Sequence, residues 1–194
     1  MKPALLFALW GALLIAQDVP PAPDDTPTFG ISVYLSGLTG QIYPIKPTSK
    51  KLPDFKKLKP IGTIYTYSLA IRPRDFNEGF PGLTDRLEWF AIDYTGRFWI
   101  ETPGKYRFIL TSDDGSRLYI DDKQVIDNDG THPAEEQSGT AKLKAGVHSI
   151  RVSYFQGPRF HVALMLDVVG PDGQQRVFNT QDFKPSDPED WERR

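Results

Sequence analysis

No cysteine occurs anywhere in the 194 residues, so the fold has no disulfide framework, no thiolate nucleophile and no cysteine-ligated metal, and it must rest on its hydrophobic core. Charge of one sign is also lacking. Lysine and arginine number 23 against 25 aspartate and glutamate, a formal net charge of -2, and no global field draws the chain onto nucleic acid or an anionic membrane. No apolar run reaches the roughly 20 residues needed to span a bilayer. There is no G-x-S-x-G elbow and no H-E-x-x-H helix. The adjacent Glu135 and Glu136 are too close in sequence to flank a scissile bond from two sides. These absences leave little room for catalysis and favour a binding role.

What is abundant is turn formers and aromatics: 17 Pro, 16 Gly, 12 Phe and 8 Tyr. That mixture suits short strands separated by frequent turns. Lys2 followed by the apolar run Ala4 to Ile15 reads as a signal peptide over residues 1–16, which implies a secreted, periplasmic or cell-surface location. Residues 17–30, opening with "QDVPPAPDDTPT", have the composition of a Pro-rich linker. Residues 31–182 form the folded domain, and residues 183–194 a polar tail expected to fray. Early in the domain Lys46, Lys50, Lys51, Lys56, Lys57 and Lys59 read as a solvated loop face, chemically able to meet a phosphate or an acidic glycan.

From Asp93 onward apolar residues alternate with polar ones between turn signals. The inward set comprises Phe98, Ile100, Tyr106, Phe108, Leu118, Ile120, Ile150, Val152, Leu164 and Leu166. Many short strands without a convincing amphipathic helix predict an all-β, antiparallel β-sandwich or barrel. The stretch Leu110 to Gly130 is dense in aspartate. Asp113-Asp114-Gly115 must be a loop, because strands rarely tolerate paired Asp, and paired carboxylates supply hard oxygen ligands for a divalent cation. The same tripeptide also suits a plain turn. Asp127, Asn128 and Asp129 make a second acidic turn. His132, His148 and His161 are too scattered for a zinc site.

The segments "GKYRFILTSDDGSRLYIDDKQVIDNDG" and "SGTAKLKAGVHSIRVSYFQG", with "GLTGQIY" and "RLEWFAIDYTGRFWIETPG" before them, resemble the protective-antigen (PA-14) domain family over roughly Gly37 to Val169. The resemblance implies a β-sandwich. In its sugar-binding members two consecutive aspartates joined by a cis peptide hold calcium, which in turn holds sugar hydroxyls. It places Asp113 and Asp114 in that role, puts Gln156 at a position where those members carry asparagine, and makes Phe155 to His161 the ligand-side loop. The resulting expectation is calcium-assisted binding of a carbohydrate or cell-surface glycan. Its metal set is Asp113, Asp114 and Gln156, and its ligand set adds Asp127, Asn128, Arg159 and Phe160. The alternative is a non-catalytic structural or protein-binding sandwich of the cell envelope that works without calcium.

Overall fold

The computed structural model describes residues 37–83, 88–158 and 160–191. The expected signal peptide, the Pro-rich linker and Arg159 lie outside the described residues. Eleven strands are present among them: β1 (Leu38–Pro44), β2 (Gly62–Thr66), β3 (Ala70–Asp75), β4 (Phe90–Ile100), β5 (Gly104–Asp113), β6 (Ser116–Ile120), β7 (Lys123–Asn128), β8 (Glu135–Leu143), β9 (Gly146–Gln156), β10 (His161–Val169) and β11 (Gln175–Val177). They form two antiparallel sheets. One has six strands in the order β2-β1-β4-β9-β6-β7; the other runs β11-β10-β5-β8, with β3 also paired to β10. Among the described residues no helix is long and apolar enough to cross a membrane.

Turn chemistry explains the hairpins. Asp121 and Asp122 both adopt positive φ, 49° and 61°, the left-handed pair that a two-residue hairpin needs and that aspartate tolerates better than most residues. The Gly170 to Gly173 turn between β10 and β11 closes with a 3.0 Å backbone hydrogen bond. Period-two alternation then directs one face of each strand inward. All ten residues of the expected inward set are buried, and they belong to one contiguous core. At its centre Phe98 meets Phe178 edge-on at 5.4 Å, and Phe178 stacks on Phe183 at 5.1 Å. Where β7 crosses β8, a Cβ on Gly139 would lie 2.1 Å from the Val125 carbonyl oxygen. Only glycine permits that approach.

Two features differ from the sequence reading. Strands β2 and β3 escaped it because each turns only one aliphatic side chain to the core, Ile64 and Ile71, both partly buried, and Pro73 disguises β3; proline is tolerated at a sheet edge. The C-terminal segment expected to fray makes defined contacts as far as the described residues extend, at Trp191. The Phe183 carbonyl accepts the Trp99 N–H at 2.7 Å, and a short 3-10 turn at Pro188–Trp191 buries Trp191 with the Arg97 guanidinium 5.5 Å over its ring. Two aromatic anchors outweigh the polar composition of the stretch around them.

Phe108 is fully buried, and its truncation removes a large ring from a core that cannot collapse to fill the space. Phe108→Ala should lower unfolding stability by about 3 to 5 kcal/mol in urea denaturation; a loss below about 1 kcal/mol would contradict its central place.

Candidate functional site

The Asp-Asp-Gly tripeptide is the corner at which the chain leaves β5 in one sheet and enters β6 in the other. The peptide between Asp113 and Asp114 is cis. Glycine is obligatory next: a Cβ on Gly115 would sit 2.5 Å from the Phe155 ring and 2.6 Å from the Gly130 nitrogen. Beneath the corner lies a buried polar network. The Ser112 and Ser116 hydroxyls are 2.6 Å apart, and the Asn128 side-chain amide donates to Ser112 Oγ at 3.1 Å and to the Glu135 carbonyl at 3.0 Å. The Tyr154 hydroxyl donates to the Asp113 carbonyl at 2.7 Å and also faces Gln156 Oε1. Buried hydrogen bonds of this kind fix a backbone because leaving any member unpaired is costly.

Both aspartates are buried, at 6% and 3% exposure, and they face a cleft of about 420 Å³ lined by Asp113, Asp114, Thr131, His132, Pro133, Pro158, Phe160 and His161. Burial, joined by the charge of Asp114, pushes the Asp113 carboxyl up to about 6. Burial also raises Asp114, partly offset by backbone N–H groups of Gly157 and His132; the Gly157 N–H donates to Asp114 Oδ2 at 2.6 Å. Burial alone would lower the His132 imidazole, but its ring nitrogens face the Asn128 and Pro133 carbonyls at 3.0 and 2.8 Å, and the net shift is upward. Phe160 stands at the lip, 72% exposed.

The PA14 domain family model matches residues 73–179 of this chain, more than half of its length. The chain belongs to the PA14 domain family. Among curated proteins it is similar to anti-sigma-I factor RsgI3 of Acetivibrio thermocellus, 27% identical over 114 residues, which is 58% of this chain and 18% of that protein. The chain therefore spans less than one fifth of that relative. Among solved structures it resembles the PA14 domain of the MpAFP antifreeze protein, with a TM-score of 0.63 and 19% identity, covering 82% of this chain and 94% of that one. It also resembles a PA14 sugar-binding domain from an RTX adhesin, with a TM-score of 0.60 and 18% identity, covering 75% and 96%.

This PA14 domain brings together only part of the residue set expected from sequence. Asp113, Asp114 and Phe160 share the cleft. Gln156 is fully buried instead, with its amide nitrogen donating to the His161 carbonyl at 3.1 Å and its oxygen facing the Tyr154 hydroxyl. It braces the loop rather than lining the opening. Asn128 supports the corner from below, and Asp127 turns away to pair with Arg117 at 3.0 Å. His132 and His161 line the cleft although their sequence spacing gave no sign of it; 29 positions and two strands, β8 and β9, separate them, and only the packing of β10 against β5 brings His161 to the site. Among the described residues no group of three or more His, Cys, Asp or Glu side chains converges as a metal cage. The two carboxylates suit a hard divalent cation by charge and donor type, and its remaining ligands would have to be backbone oxygens, water or a bound molecule.

Asp113 titrates near 6 in the folded state and near 3.9 when unfolded. The folded protein therefore holds its proton more tightly. With divalent cations chelated, this group makes stability fall as pH rises from about 4 to about 6, and the loss is complete above the folded value. Asp113→Asn should flatten that part of the stability profile in urea titrations. An unchanged slope would place the source elsewhere.

Proposed function

We propose that this PA14 domain is an exported, non-catalytic binding module that takes a carbohydrate at the Asp113–Asp114 cleft, with calcium held by the two carboxylates. The observation that carries the reading is the buried pair itself. Two like charges share one cleft, Asp113 is pushed up to about 6, and among the described residues no lysine or arginine is paired with either. A divalent cation is the simplest compensation for such a pair. The likeness in fold to a sugar-binding PA14 domain of an RTX adhesin supports the ligand class.

The protein's own groups have separable tasks in this scheme. Asp113 and Asp114 supply charge and hard oxygen donors. The Gly157 N–H orients Asp114, and the Tyr154 hydroxyl holds the Asp113 backbone in place. Phe160, Pro158 and Pro133 give the opening an apolar margin against which the C–H face of a sugar ring can lie. Bound calcium would supply open coordination positions for vicinal hydroxyls.

Extracellular calcium sites tend toward dissociation constants of about 0.1 to 1 mM. At the tight end, about 1 mM calcium stabilises the fold by about 1.4 kcal/mol, a rise in melting temperature of roughly 3 to 6 °C for a domain of this size. Scanning calorimetry with calcium, magnesium and chelator should show that rise. The double substitution Asp113→Ala with Asp114→Ala should abolish it, and binding on a glycan array should vanish with chelator. No calcium response, with glycan binding absent or chelator-insensitive, would shift the reading to a protein-binding sandwich.

A further inference from the structure

Between β1 and β2 the chain does not loop into solvent. It runs as a strap across the outer face of the six-stranded sheet. Its ends are tied by the Ile45 N–H to the Trp89 carbonyl at 3.0 Å and the Ile61 N–H to the Ile42 carbonyl at 2.8 Å. Its middle reaches the far side of the sheet, where the Leu52 N–H donates to Asp129 Oδ1 at 2.8 Å, just beyond β7. Phe55 turns inward, edge-on to Tyr43 at 5.1 Å and 5.8 Å beneath the Arg151 guanidinium. Asp54 caps a short 3-10 turn at Phe55–Lys57 by accepting the Lys56 N–H, and it pairs with Lys57 at 3.1 Å.

With Phe55 directed to the sheet, the strap presents lysine to solvent. Lys46, Lys50, Lys51, Lys56, Lys57 and Lys59 are all exposed. Between Lys46 and Lys59 six lysines stand against Asp54 alone, a local charge of +5 in a chain of net charge -2, so the remaining residues carry -7. A charge separation of that size on a fixed backbone creates a local attractive field that the net charge conceals.

We propose that this strap is a docking surface for an anionic polysaccharide bearing carboxylates along its length. Ammonium groups displayed from an extended, anchored segment match the distributed charge of such a polymer, and the anchoring lowers the ordering cost of binding. The one aromatic ring of the strap is turned inward, so it lacks the stacking platforms used for single-stranded nucleic acid. A single exposed aliphatic side chain, Ile61, lies at its end, far short of the apolar face by which a basic segment enters a membrane. The strap shares no residue with the Asp113–Asp114 cleft, and the inference stands apart from the calcium reading.

Affinity electrophoresis of the full chain through gels containing polygalacturonate, with chelator present, tests the proposal. Retardation should weaken about tenfold or more between about 50 and about 200 mM salt. Substituting Lys50, Lys51, Lys56 and Lys59 together by glutamine should weaken it by about tenfold or more, with the melting temperature unchanged, and the double variant Lys46→Gln with Lys59→Gln should give an intermediate loss. Asp113→Ala with Asp114→Ala should leave it intact. Equal retardation by neutral dextran, tighter binding to phosphatidylserine vesicles or to oligothymidylate than to polygalacturonate, or undiminished binding by the folded four-site variant would overturn it.

Discussion

Burying two carboxylates beside one another costs free energy on two counts, desolvation and mutual repulsion, and much of the surrounding architecture is arranged to hold them there. Asp113 and Asp114 lie at the point where the chain changes sheets, so neither can move without disturbing the β5 to β6 connection. The backbone N–H of Gly157 meets one carboxylate, the Tyr154 hydroxyl meets the carbonyl of the other residue, and Ser112, Ser116 and Asn128 close the space below. Gly115 is the consequence of that crowding, because the Phe155 ring and the Gly130 backbone occupy the volume any larger residue would need. These contacts fix position, but none of them supplies a full positive charge. That residual imbalance is what distinguishes the corner from a plain turn.

A second set of charges is handled in the opposite way. On the outer face of the six-stranded sheet Asp93 receives the Arg151 guanidinium at 2.8 Å and the Ser153 hydroxyl at 2.7 Å, and Asp127 and Asp129 both pair with Arg117. Arg151 also lies over the rings of Phe55 and Tyr119. Each of these three acids has a basic partner, and the pairs serve as the bed on which the lysine strap is laid. Single ion pairs at a solvent-facing surface add little stability, but here Asp93 and Asp129 are largely buried, and an arginine held between a carboxylate and two aromatic faces loses little further freedom when the strap packs over it. Paired acids therefore mark structure on this face, and unpaired acids mark the cleft.

The sandwich was legible in the sequence because the strands that carry the core, β4, β5, β6, β9 and β10, alternate cleanly and are bounded by turn residues. Phe98, Phe108, Leu118, Val152 and Leu164 all lie where period-two reasoning put them. Strands β2 and β3 were not legible, since Ile64 alone in one and Ile71 alone in the other face the core, too few apolar positions to leave a pattern. The tail was misread for a related reason: composition averages over residues, whereas Phe183 and Trp191 act singly. At the site, the aspartate pair stood out locally because such pairs are rare in strands. His132 and His161 did not, because a cleft assembled from a β7–β8 loop and the start of β10 has no signature in spacing. The lysine run was visible, but its inward anchoring through Leu52 and Phe55 depends on partners 77 and 96 residues away.

Gln156 shows how one buried amide divides the labour at this corner. At the end of β9 its side chain folds under the loop, where its nitrogen meets the His161 carbonyl and its oxygen the Tyr154 hydroxyl. That arrangement links both ends of the loop Gly157 to Phe160 to the same tyrosine that holds the Asp113 backbone. The amide is thereby removed from the cleft, and the carboxylates are left as its charged side-chain donors. In return, the loop bearing Pro158 and Phe160 is tied to the rigid end of the sheet, so the apolar margin and the acidic floor keep a fixed relation. Under the calcium reading proposed above, such a corner would depend less on a full protein cage around an ion and more on the oxygens a polyhydroxylated ligand brings with it.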